Sequence, residues 1–134
     1  MNLVKKIVFY RRIWLLARVV WWQKRLSAGG GKNAFKLLEN APLGGGGLRR
    51  EDIDRYVEAG LRVGGRLGFV NSCLPRTVIR CILYRRNGIP ARAAFGIRKD
   101  GGALIGHCWI VDEAPGAGEC CTEGFQSVEI LPAV

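Results

Sequence analysis

The sequence has little of what several common function classes rest on. Its single histidine is His107, and it contains no Cys-x-x-Cys pair. The five cysteines, Cys73, Cys81, Cys108, Cys120 and Cys121, are odd in number and irregular in spacing. That is a poor disulfide framework and fits a reducing, cytoplasmic compartment. A set of His107, Cys108, Cys120 and Cys121 follows no common zinc spacing, so no metal is expected. Arg11, Arg12 and Arg18 interrupt the apolar N-terminal stretch. No uninterrupted run therefore reaches the ~20 residues of a spanning helix. No small-residue cleavage site follows a clean apolar core, so neither secretion nor membrane insertion is expected. The run Gly44–Gly47 is not followed by Gly-Lys-Ser or Gly-Lys-Thr, which argues against a phosphate cradle.

Charge of one sign is missing from each end. Residues 1–50 hold eleven basic side chains and one acid, Glu39, whereas residues 101–134 hold five acids and no Lys or Arg. Over 134 residues the formal net charge is +10. A basic excess of this kind suits nucleic acid, an anionic membrane surface or an acidic polypeptide. No recognisable nucleic-acid motif accompanies it, and the aromatics gather in the apolar N-terminal run rather than between basic residues, so nucleic acid is not expected. Length and the apolar fraction of 49% suit one domain, 1–134. Within it, 1–47 reads as an N-terminal helical part and 48–134 as the body that carries the chemistry.

Apolar residues near helical spacing predict a helix over 3–27, with Arg11, Arg18 and Arg25 on one side. Such an amphipathic helix packs on the domain or touches a membrane surface or partner. Ala28-Gly29-Gly30-Gly31 is expected to end it. A short second helix over 33–40, capped by Asn33, and a linker at Gly44–Gly47 are expected to follow. Ile53, Val57 and Leu61 mark a helix over 49–67, weakened at its end by Gly64 and Gly65. Pro75 suits the first turn of another helix, closed by Arg85-Arg86-Asn87-Gly88. Strands over 92–99 and 104–111 flank a turn at Asp100-Gly101-Gly102. Ser127 to Leu131 reads as a last strand.

The chemistry concentrates on two residues. Cys73 stands just before a helix start, where unpaired N–H groups and the helix dipole favour a thiolate. Its own backbone N–H is a candidate oxyanion donor. His107 lies on the second strand, a general base within reach of such a thiol. Glu119, Asp112 and Glu113 are candidates to orient the imidazole. Alternation places Trp109 on the face of His107, as a water shield or as core. Cys108 points to the opposite face and reads as packing, as does Cys81.

The runs Cys73-Leu74-Pro75-Arg76, Arg85-Arg86-Asn87-Gly88-Ile89-Pro90-Ala91, Gly96-Ile97-Arg98 and Gly106-His107-Cys108-Trp109-Ile110 appear in that order. Together they resemble the leader peptidase of lasso-peptide biosynthesis, a transglutaminase-like, papain-like cysteine protease family. The resemblance is concentrated in residues 71–111. It implies an α+β fold, a helical N-terminal half packed on a small antiparallel sheet, with Cys73 as nucleophile and His107 as base. The family's third residue is an acid about a dozen positions after the His, which implies Glu119, twelve on; Asp112 stays open because this stretch departs from the family pattern. The implied partners are a precursor peptide, a separate leader-recognition protein and an ATP-dependent macrolactam synthetase, with no metal or organic cofactor. Two rivals remain: an acyl transferase or amidase on the same Cys–His pair, and a non-enzymatic basic module binding an anionic membrane or nucleic acid. The enzyme reading gives the acidic C-terminal stretch a place in the active site, where an acid steadies the imidazolium.

Overall fold

A computed structural model describes residues 2–111 and 126–132. Helices α1 (Leu3–Glu39), α2 (Arg50–Arg66) and α3 (Cys73–Arg86) precede strands β1 (Ala93–Asp100), β2 (Ala103–Ile110) and β3 (Gln126–Leu131). The strands form one antiparallel sheet in the order β2-β1-β3. The class is α+β, as the sequence predicts, and every predicted strand lies within a residue of its observed bounds.

The long helix differs from expectation. Gly29-Gly30-Gly31 does not end α1, which continues to Glu39 and absorbs the short helix expected at 33–40. Three interior glycines cost about 1 kcal/mol each relative to Ala. Burial of Leu26 before them, and of Ala34 and Leu38 after them, offsets this, at about 1.5–3 kcal/mol per leucine. The glycines instead bend the helix. Asn33, expected as a cap, donates from Nδ2 to the Arg25 carbonyl at 2.8 Å. A straight helix separates those residues by about 12 Å along its axis, so the axis must turn between them.

Helices α1 and α2 meet at close range. Ile53, Val57 and Leu61, the stripe expected on α2, are fully buried. Gly60 and Gly64 face α1: a Cβ at Gly60 would stand 2.5 Å from Val19 Cγ1, and one at Gly64 1.7 Å from Gln23 Oε1. These glycines are contact points, not merely weak helix formers. The buried Gln23 closes the seam by donating from Nε2 to the carbonyls of Leu61 (3.4 Å) and Val70 (2.9 Å).

The tetraglycine stretch is likewise no free linker. Gly44 N–H donates to Arg85 O at 2.7 Å and Gly46 N–H to Arg86 O at 3.1 Å. Leu48 N–H donates to Asn87 Oδ1 at 3.1 Å. The run thus gives the Arg86 carbonyl a donor and adds a second donor to Arg85 O, which also accepts from Gly88 N–H at 3.1 Å. A Cβ at Gly44 would overlap Arg86 O at 2.3 Å, so the approach requires glycine. Arg85 ties the same corner, donating from Nε to Ala41 O at 2.7 Å and from Nη1 to Ala91 O at 3.3 Å.

The β1–β2 hairpin turns at Gly101 and Gly102, with φ of 56° and 88°. Positive φ at both central residues is the two-residue turn whose twist matches the strands. On the other side of β1 the register slips: Phe95 pairs with Glu129 but Gly96 with Ser127. That bulge lies beside Cys108 and His107, which pair with Phe95 and Gly96 on β2.

Gly60→Ala is expected to destabilise the chain by about 1–2 kcal/mol through overpacking against Val19. Gly47→Ala, where an added Cβ meets nothing within 4 Å, is expected to be neutral or slightly stabilising. Denaturant midpoints of the two variants check this; equal midpoints would contradict the close α1–α2 contact.

Candidate active site

Cys73 is the first residue of α3. Ser72 before it is extended, with φ −130°, and makes no side-chain capping bond. The first N–H groups of the helix are therefore not capped by Ser72, and the positive end of the helix dipole lies at Cys73. Pro75 falls in this first turn, where the missing donor costs no intrahelical bond.

Three polar links set α3 in place. Arg76 Nε donates to Glu58 Oε1 of α2 at 2.7 Å, and Arg76 Nη2 reaches Asn71 Oδ1 at 3.4 Å. Arg80 Nε donates to Asp54 Oδ1 at 3.1 Å, and the Tyr84 hydroxyl donates to the same oxygen. Burial and the Asp54 contact push the Tyr84 hydroxyl well above its ordinary pKa, so it stays a donor. The third link crosses to the sheet: Thr77 Oγ1 donates to Cys108 O at 3.3 Å. Strand β2 is an edge strand, and here that edge faces the helix. Cys73 precedes Thr77 by one turn, so both lie on one helix face.

The result is a cleft of about 240 Å³ lined by Cys73, Leu74, Phe95, Gly96, Gly106, His107 and Cys108. Cys73 and His107, which the sequence singles out, share it. Gly96 pairs with His107 across the ladder. An added Cβ at Gly106 would meet nothing within 4 Å among the described residues. The imidazole stacks on Trp109, with ring centroids 5.8 Å apart and planes 22° off parallel. Both rings are half-buried, and the expected shared face is observed.

The Cys73 thiol is lowered to a pKa of about 5. The Cys108 side chain, by hydrogen bonding to the sulfur, contributes most; burial works against it. The Cys108 backbone, then the hydrogen bond and charge of the His107 ring, lower it further. Near neutral pH the group is a thiolate, the nucleophilic form. Cys108 therefore does more than pack, correcting the sequence reading. Its side chain is buried, on the face opposite His107, yet α3 covers that face and the strand edge together. A signal for this was present: Thr77 stands four residues after Cys73, able to hold the next stretch of backbone against the same helix face.

Glu119, Asp112 and Glu113, the candidates to orient the imidazole, lie outside the described residues, as do Cys120 and Cys121. Cys81 is buried and donates to Ala91 O at 3.4 Å, in keeping with a packing role. Among the described residues no group of three or more His, Cys, Asp or Glu side chains is placed to hold a metal ion. No helix among them is long and apolar enough to cross a membrane.

A family model described as "Transglutaminase-like superfamily" matches residues 13–129. No curated protein and no solved structure matches the chain.

Alkylation of Cys73 by iodoacetamide, measured as the difference between the chain and its Cys73→Ala variant, is expected to rise with a midpoint near pH 5 and to be level by neutral pH. Deprotonation drives the rise, so Cys108→Ala is expected to move the midpoint upward and slow the reaction below it. A midpoint near the free-thiol value of ~8.5 in the unaltered chain would contradict the described environment.

Proposed function

The chain belongs to the transglutaminase-like superfamily, and on that premise we propose that it is a cysteine peptidase that removes the leader from a ribosomally made lasso-peptide precursor. The superfamily is typically one of cysteine-based enzymes acting by Cys–His hydrolysis or acyl transfer. The observation that carries the reading is the shared cleft: a thiolate at a helix N-terminus beside the only histidine of the chain. The ordered motifs from Cys73-Leu74-Pro75-Arg76 to Gly106-His107-Cys108-Trp109 support the choice of a leader peptidase within the superfamily.

The chemistry proceeds in two displacements. Cys73 Sγ attacks the scissile carbonyl, and the Cys73 N–H at the start of α3 stabilises the oxyanion. His107 passes the proton it took from the Cys73 thiol to the leaving amine as the C–N bond breaks, leaving a thioester on Cys73 and releasing the core peptide with a free N-terminal amine. His107 then takes a proton from water, whose oxygen attacks the thioester; the leader departs as a carboxylate and the thiolate returns. Trp109 holds the imidazole plane through its stack and shields it on one side. Glu119, or Asp112 in its place, orients the ring in this scheme.

The freed amine is the group an ATP-dependent macrolactam synthetase consumes. A separate leader-recognition protein delivers the precursor, and the basic body of the chain suits an acidic face on that protein or leader. The first rival, acyl transfer by the same pair, differs only in the acceptor of the thioester.

Purified chain, leader-recognition protein and precursor are expected to yield two fragments whose masses sum to the precursor plus one water. Cys73→Ala and His107→Ala are each expected to lower the rate by about 10³-fold or more. Mass spectrometry separates the readings: an acyl acceptor in place of water indicates transfer, and undiminished cleavage by Cys73→Ala would overturn the mechanism.

A further inference from the structure

We propose that the outward face of the first half of α1 is a docking surface for an anionic lipid bilayer, with the helix lying flat in the interface. The inference stands apart from the peptidase chemistry, which does not use this face of α1.

The two sides of α1 are unlike. Toward the domain, Val19, Trp22, Gln23 and Leu26 are buried. Away from it, Leu3, Ile7, Tyr10, Trp14, Ala17 and Trp21 follow one another at intervals of four and three residues, which keeps them in one stripe. They are exposed: Leu3 is 70% exposed, Tyr10 67% and Trp14 65%. A shallow apolar groove runs along Ile7, Tyr10, Ile13 and Trp14. Large apolar side chains gathered in this way mark an interaction surface.

Charge selects the occupant. Between Asn2 and Leu38 there is no acid, and Arg11, Arg18 and Arg25 recur every seven residues along one edge of the stripe. A second copy laid along this face would bring those arginines together, with no carboxylate in reach along the segment. The partner must be anionic. Width then separates a bilayer from an acidic protein helix. A single partner helix covers a narrow seam. Here the apolar arc extends past the seam to Phe9 and Ile13, both about half exposed, and spans roughly 160° at 100° per residue, with Lys6 the one charged side chain inside it over residues 3–21. A plane covers that arc and a cylinder does not. Tyr and Trp favour the headgroup level, and the arginine stems can lie along the apolar surface while their guanidinium groups reach phosphate.

The test is sedimentation of the full chain with phosphatidylglycerol–phosphatidylcholine vesicles, against pure phosphatidylcholine, with tryptophan emission recorded. Binding to the anionic vesicles with a blue shift is expected, and little on the neutral ones. The double variant Ile7→Ser/Trp14→Ser should lose both signals, and Lys6→Gln/Arg11→Gln should weaken binding about 30-fold. All four positions are exposed, so circular dichroism should be unchanged. Equal sedimentation with both vesicle types, none with either, or undiminished binding by both variants would overturn the proposal. So would capture by an acidic amphipathic peptide, or a dimer abolished by Ile7→Ser/Trp14→Ser, without vesicle binding.

Discussion

The first turn of α3 lies against the open edge of β2, and the chemistry depends on that seam. A strand edge presents alternating N–H and C=O groups that need partners. Thr77 takes one of them, the Cys108 carbonyl, at 3.3 Å, and the Cys108 N–H and thiol turn to Cys73. Helix position and thiol ionisation thus come from the same short stretch of strand. A shift of α3 by one turn, about 5.4 Å, would remove the sulfur from its donors and from the cleft it shares with His107. Everything that fixes α3 in rotation and height, from Arg76 on Glu58 to Arg80 and Tyr84 on Asp54, acts on the reactive group through this seam. These ion pairs are partly exposed and each is worth little as stability; their value is positional.

The glycines serve the same end by different routes. At Gly60 and Gly64 they let α2 approach α1, which sets the height of Glu58 and Asp54 beside α3. At Gly44 and Gly46 they let backbone reach backbone at the far end of α3. Gly88, Gly101 and Gly102 instead are there for a conformation that other residues resist.

Much of this was legible in the sequence because local rules and tertiary packing agreed. The apolar stripe of α2, Pro75 in a first turn, the Asn87-Gly88 ending and the Gly101-Gly102 turn each follow from propensity or periodicity, and each is found. The pairing of Cys73 with His107 followed from residue type, one thiol at a helix start and one histidine on a strand. What was illegible depended on partners far along the chain. Gly29–Gly31 reads as a stop because propensity is local; burial of Leu38 lies outside that calculation. Gly44–Gly47 reads as a linker because nothing nearby needs it; its partners are the carbonyls of residues 85 and 86. Cys108 reads as packing because strand alternation assumes a sheet covered on its faces. Here the covering helix also meets the edge, so a side chain on the core face and its own backbone both reach the thiol.

The clasp between residues 44–48 and the end of α3 also has a mechanical meaning. Load that travels along the backbone from α1 enters the segment after Ala41, and that segment is laced to Arg85, Arg86 and Asn87 by several bonds acting side by side. Force arriving there is taken up at the C-terminal end of a 14-residue helix, about 20 Å from the thiol at its other end. Bonds sheared together resist more than bonds peeled one at a time. A domain anchored by its first helix can therefore be pulled or tilted while the Cys73 thiol and its donors keep their distances.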